Sequence, residues 1–242
     1  PDRYGLLPIH YAFASGAYTV RWLWSDVTSY DFIKPVQQGF LQGTNLLWFL
    51  ARQDDHTAFF DFIDKLDVEK RYMVARTAAK YPRHPLQGIT VSLLLAYLTA
   101  FKRLTNNFAE VLSPELRYEL LAEKTGEGVA DLGSSIGFAF LKANDSEEAT
   151  DYFISLCNGF EALALQQRAE LLNQRPSQAT YDDCPSVAIF LLCYRKQDFV
   201  KLMTRDFHRL DADSKFIYLS SNIQQLSVAG FYVRNEWFDE LF

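Results

Sequence analysis

The sequence predicts an all-α solenoid, a series of helical units that bury their faces by stacking on one another. Three observations carry that reading. Gly43, Gly88 and Gly133 stand 45 residues apart, and each precedes a small or polar pair and then a dense apolar run. Leu66, Leu112, Leu156 and Leu210 follow their unit starts (Gly43, Gly88, Gly133 and Cys184) by 23, 24, 23 and 26 residues. Asp67, Ser113 and Asp211 stand directly after three of those leucines, each with an oxygen that can accept from an unpaired first-turn N–H. A period in this range marks a repeat architecture rather than one closed core.

Each unit divides into three predicted helices. Helix A is the apolar run, "TNLLWFLA", "ITVSLLLA", "SSIGFAFL" or "PSVAIFLL", covering roughly 44–52 in the first unit. It is hydrophobic on nearly every side, as suits a helix sandwiched between neighbours, and Trp48 is expected between layers. Helix B covers about 56–65, with Phe59, Phe62, Ile63 and Leu66 at helical spacing. Its counterparts include Phe108, Ala109 and Leu112, then Tyr152, Phe153 and Leu156.

Helix C begins just past the leucine. Pro114 suits the first helical position, where the N–H it lacks would be unpaired anyway. Ala75, Leu121, Leu165 and Leu219 form its apolar column; Arg71, Arg117, Glu161 and Lys215 form a charged column expected to face water. Units end at breaks such as "YPRHPLQG", where Pro82 and Pro85 disfavour helix before them and Gly88 permits the reversal. One helical-repeat domain over 1–242 results: an atypical unit at 1–42, repeats at 43–87, 88–132, 133–183 and 184–221, and a partial repeat at 222–242. Strand is expected only as a short turn near Asp2 to Pro8.

The last stretch, "NEWFDELF", reads as another helix B, with Trp237 at the Phe62 position. Its side chains Trp237, Phe238, Leu241 and Phe242 are the opposite of the polar cap that closes a solenoid. They predict a terminal face covered by a further domain or by another copy of the chain.

Composition narrows the function. With 49% hydrophobic residues, 20 Phe, 13 Tyr and 4 Trp among 242, the chain has ample material for a large interior. A net charge of −6, with no Lys/Arg run longer than two, argues against nucleic acid as the ligand. No apolar run reaches the ~18–20 residues needed to cross a bilayer. Cys157, Cys184 and Cys193 lack a Cys-x-x-Cys pair, so they read as small buried side chains in a reducing, cytosolic-type compartment. Asn144-Asp145-Ser146 matches a glycosylation sequon.

Residues Asp2 to Trp24, "DRYGLLPIHYAFASGAYTVRWLW", resemble the ankyrin repeat. Gly5, Pro8-Ile9-His10, Ala12, Gly16, Val20 and Leu23 fall where that family has Gly, Pro-Leu-His, Ala, Gly, Val and Leu. Leu7 and Phe13 depart from its usual Thr and Ala, and the match covers about a tenth of the chain. The later units look like divergent relatives, with a longer period and an added third helix; HEAT or armadillo stacking explains that period equally well. "QGxTxLxxLA"-like segments are similar to those of ankyrin-containing effectors that intracellular bacteria deliver into the host cytosol. The resemblance implies a binding scaffold with a protein partner.

No catalytic or metal signature appears, and no cofactor is expected. His10, His56, His84 and His208 share no ligand spacing; His10 fits a helix-start hydrogen bond, and His56 and His208 fall on helix B. "GEGVADLG" fails as a dinucleotide loop because Asp131 occupies the third glycine position. Cys184 stands beside Asp182 and Asp183, which oppose thiolate formation.

The best candidates come from the loops before each helix A, which line one edge of a solenoid. Gln38 and Gln42 (with Gln37) lie in the first, Arg83, His84 and Gln87 in the second, and Tyr181, Asp182 and Asp183 in the last. Amides, an Arg and a Tyr without uniform charge suit protein recognition. The leading expectation is therefore a non-catalytic protein–protein interaction scaffold. The alternatives are an enzyme or accessory domain with a site no motif reveals, and a structural spacer.

Overall fold

A computed structural model describes residues 8, 59–60, 63–76, 110–124, 135–176, 185–223, 226–235 and 237. The chain divides into two units, Pro1–Asn107 with Gly126–Ala130, and Phe108–Thr125 with Asp131–Phe242. Among the described residues helix dominates both.

In the first unit Phe59, Phe60 and Ile63 are helical and fully buried, and the two phenyl rings meet edge to face at 5.2 Å. The chain turns at Leu66 and enters α1, Val68–Arg76. Asp67 starts that helix as its spacing predicts, its Oδ1 accepting the Lys70 N–H at 2.9 Å. Val74 and Ala75 face the interior. Arg71 reaches back past the start of its helix, donating from Nε to the Leu66 carbonyl and from Nη2 to the Asp64 carbonyl. Trp48 and Phe62 lie outside the described residues, as does the ankyrin-like stretch apart from Pro8, which is helical and exposed.

The second unit runs α2 (Pro114–Ala122), α3 (Ile136–Asn144), α4 (Glu147–Leu156), a 3-10 turn (Phe160–Ala162) and α5 (Leu165–Leu172). It continues with α6 (Val187–Cys193), α7 (Gln197–Thr204), a 3-10 turn (Phe207–Arg209), α8 (Ala212–Leu219) and α9 (Val228–Asn235). Ser113 and Asp211 cap α2 and α8 as expected, accepting from the Leu116 and Ser214 N–H groups, and Pro114 takes the first helical position. The helix A runs behave as sandwiched helices: every residue from Val187 to Leu192 is buried, as are Phe138, Ala139, Phe140 and Leu141. Phe138 meets Phe190 edge to face at 5.8 Å, joining α3 to α6. Leu121 is buried, as its column predicts.

Strand is confined, among the described residues, to a two-residue antiparallel ladder and one bridge. Asn222 pairs with Ser227 and Ile223 with Leu226. The ladder lies in the short link from α8 to α9; residues 2–7, where a short turn was expected, lie outside the described residues.

The third landmark leucine is Leu163 rather than Leu156. Leu156 ends α4, and a left-handed residue, a buried phenylalanine and a 3-10 turn intervene before α5. The same sequence of features recurs 47 residues later. Gly159 (φ 84) matches Asp206 (φ 71), Phe160 matches Phe207, and Leu163 matches Leu210. Glu161 consequently belongs to the 3-10 turn and not to helix C, and Arg168 takes the place assigned to it. His208 likewise lies in the second 3-10 turn, past the helix on which it was expected, with an exposed side chain.

Arg117 does not face water. It is 5% exposed and donates to three backbone carbonyls: Nε to Leu112 at 3.1 Å, Nη1 to Leu156 at 2.6 Å and Nη2 to Asn158 at 2.8 Å. The end of α4 leaves its last carbonyls without helical partners, and a planar guanidinium with five donors can satisfy several at once. Charge in the sequence misled here because it did not reveal that two of the acceptors come from the end of α4 and the turn after it.

At the chain's end, α9 stops at Asn235, and Trp237 is not helical. Its N–H donates to the Tyr232 carbonyl at 3.2 Å, its ring stands edge-on to Tyr232 at 5.6 Å, and Lys201 Nζ sits 4.1 Å from the ring centre. Trp237, expected within another helix B, instead packs against Tyr232 of α9 and Lys201 of α7. Phe238, Leu241 and Phe242 lie outside the described residues.

Candidate functional site

The eight residues expected to meet a partner, Gln38, Gln42, Arg83, His84, Gln87, Tyr181, Asp182 and Asp183, all lie outside the described residues. So do Gln37, Cys184 and the "GEGVADLG" loop. Among the described residues one backbone arrangement, a neck before α3, α6 and α9, is built the same way three times. The Glu123 carbonyl accepts the Ile136 N–H at 2.8 Å, the Gln174 carbonyl accepts the Val187 N–H at 3.0 Å, and the Ser221 carbonyl accepts the Val228 N–H at 3.0 Å. Each bond pins the last residues after a helix C to the first residue of the helix A that follows.

Beneath each neck a serine stands at the start of helix A. Ser135 accepts the Phe138 N–H at 3.2 Å and donates to Gln174 Oε1 at 2.6 Å. Ser186 accepts a 2.6 Å bond from Ser221 Oγ, and Ser227 accepts the Gly230 N–H at 3.0 Å. Ser135, Ser186 and Ser221 are fully buried. Buried hydroxyls need partners, and these link each neck to the next. Neither Ser135 nor Ser186 faces a base: an amide oxygen and a second hydroxyl do not take up a proton near neutral pH. The serines position backbone; they are not activated nucleophiles. Gly137 permits this packing, since a Cβ there would lie 2.8 Å from Gln174 Oε1.

On another edge of the second unit, the α3–α4 corner meets the α6–α7 corner. Tyr194 donates from its hydroxyl to Asp145 Oδ1 at 2.9 Å, and Lys196 pairs with Asp151 at 2.6 Å and Glu147 at 3.4 Å. Loss of solvent around the phenol and the bond to the Asp145 carboxylate push the Tyr194 hydroxyl up to about 12. The bond to Asp151 raises the Lys196 ammonium above its ordinary value. Both groups keep their protons throughout the neutral range and act as fixed donors between corners. Asn144, the sequon residue, spends its side-chain N–H on the Phe140 carbonyl at 2.8 Å within α3, a poor arrangement for an acceptor of sugar.

The cysteines split. Cys157 is buried, and burial holds its thiol well above the ordinary range even with Arg117 nearby. Cys193 is exposed rather than buried as expected, and its thiol is also raised, by surrounding protein and by Asp145. Neither is a ready thiolate. Among the described residues no three His, Cys, Asp or Glu side chains converge as metal ligands, and no helix is long and apolar enough to cross a membrane.

Sequence reasoning missed Arg117, Arg168 and the serine ladder. Arg168 donates from Nη1 to the carbonyls of Met203 and Arg205, both at 2.9 Å, as Arg117 does to Leu156 and Asn158. The signal was present, because Leu66–Arg71, Leu112–Arg117 and Leu163–Arg168 share one spacing; taking Leu156 as the landmark concealed it. No protein-family model, curated protein or solved structure matches the chain.

Proposed function

We propose that the chain is an α-solenoid whose helix A loops form an edge that binds a protein partner without catalysis. The observation that carries this reading is the repeated neck. Glu123–Ile136, Gln174–Val187 and Ser221–Val228 close successive loops with the same backbone bond, which suits a series of loops presented in line. The arginine contacts from α2 to the end of α4 and from α5 to the end of α7 support stacking of successive units. Rigid elements holding variable loops are a common basis for recognition. The ankyrin-like start of the chain adds support for a scaffold that works in a host cytosol, and the free thiols of Cys157 and Cys193 suit a reducing compartment.

The experiment is affinity capture from a candidate host lysate with the full chain and two loop variants, Tyr181→Ala/Asp182→Ala/Asp183→Ala and Arg83→Glu/Gln87→Ala. Proteins retained by the wild type and lost by a variant whose circular dichroism is unchanged are the expected result. Identical capture by all three proteins would show that the loop edge is not the binding surface.

A further inference from the structure

Two residues each hold two necks at once. Glu123, Gln174 and Ser221 stand 11 residues past Leu112, Leu163 and Leu210, and the backbone carbonyl of each closes a neck. The side chains of the last two also reach the serine of the neck before. Gln174 Oε1 accepts from Ser135 at 2.6 Å, and Ser221 Oγ donates to Ser186 at 2.6 Å. Ser135, Ser186 and Ser221 are fully buried and Gln174 is 7% exposed, so water has little access to replace either bond. Gln174 Oε1 is packed close against α3, where a methyl on Gly137 would lie 2.8 Å from it.

We propose that these side-chain bonds form a relay through which the three necks open and close as one cooperative unit. The backbone carbonyl and the side chain of one residue move together. Opening the Gln174–Val187 neck therefore pulls Gln174 Oε1 away from Ser135 and shifts Ser186, the neighbour of Val187, away from Ser221. Opening the Ser221–Val228 neck likewise takes the Ser221 hydroxyl from Ser186. Each movement strands a buried polar group, and a stranded buried group costs more than an ordinary bond contributes. One neck consequently opens more easily once its neighbour has opened. The coupling is reciprocal, because it is a single free energy shared by both positions. Along the loop edge, a ligand that opens one neck loosens the next; that consequence rests on the binding reading above, whereas the relay itself does not.

Native-state hydrogen exchange of the Ile136, Val187 and Val228 amides in the full chain tests the relay. Ser186 makes no side-chain capping bond at the start of α6, so Ser186→Ala removes its bond to Ser221 without removing a cap. Exchange of the Val228 amide, one neck further on, is expected to rise about tenfold, while a core amide such as that of Met203 keeps its rate. Gln174→Ala is expected to raise Ile136 exchange by a similar factor. In Ser186→Ala/Ser221→Ala neither hydroxyl remains to be stranded, and Val228 protection is expected to recover in part. Wild-type exchange at Val228 and Ile136 in the single variants, or no recovery in the double one, would overturn the proposal, because the necks would then open independently. So would an equal rise at Met203, the mark of a general loss of stability. These outcomes leave the loop-edge reading standing, since capture from lysate tests it separately.

Discussion

Arg117 donates to the Leu156 carbonyl across 39 residues of sequence, at 2.6 Å, and thereby ties α2 to the end of α4. Replacing Arg117 with Met leaves the Leu112, Leu156 and Asn158 carbonyls short of a donor in or near the interior. An unsatisfied buried acceptor costs about 1–3 kcal/mol, so a loss of roughly 3 kcal/mol is expected in urea unfolding. Arg117→Lys is expected to recover only part of it, because an ammonium cannot reproduce the planar fork. A variant as stable as the wild type would show that water satisfies these carbonyls.

Gly159 and Asp206 provide a paired test of backbone strain. Both sit in the left-handed region, at φ 84 and 71, which costs a residue with a Cβ about 1–2 kcal/mol. Gly159→Ala is expected to lower stability by about 1 kcal/mol and Asp206→Gly to raise it by a similar or smaller amount. Thermal midpoints moving in the same direction for both would contradict the matched geometry of the two turns.

Gly137→Ala probes the neck. The added methyl would meet Gln174 Oε1 at 2.8 Å, Phe153 at 3.2 Å and the Leu121 carbonyl at 3.3 Å. Overpacking of this kind costs about 1–3 kcal/mol. Combining it with Gln174→Ala removes the closest contact and is expected to give a smaller loss than the sum of the single changes, measured by a double-mutant cycle.

Asp211 gives the molecule a pH-dependent cap. Its bonds from the Ser214 hydroxyl and N–H hold its carboxyl below the ordinary value. A folded-state value below the unfolded one means that the stabilisation is complete above pH ~4 and is lost as pH falls through the depressed value. The thermal midpoint of Asp211→Asn is therefore expected to vary less with pH between about 5 and 2 than that of the wild type. Parallel curves would show that the carboxylate contributes nothing beyond the neutral cap.

Thiol labelling separates the cysteines. Cys193 is expected to react with a maleimide in the native protein, slowly near neutral pH and faster as pH rises, because its thiol is raised. Cys157 is expected to react only after unfolding, since it is buried. Peptide mass spectrometry assigns the label; native labelling of Cys157 would show that the α4 end opens.

The sequence alone determined that helix dominates the described residues, and where several helices begin. Asp67, Ser113, Pro114 and Asp211 act within one turn of their own positions, so their roles follow from local chemistry. The burial of Phe138, Phe153 and the Val187–Leu192 run was legible for the same reason, from apolar spacing along one helix. Tertiary structure alone decided the fates of Arg117, Arg168, Ser135 and Phe216. Nothing local distinguishes an arginine that faces water from one that meets carbonyls 39 residues away, because its partners are backbone atoms that any residue supplies. Phe216 is the converse case: its side chain asks for burial yet is exposed, and only the arrangement of neighbouring units decides whether anything covers it.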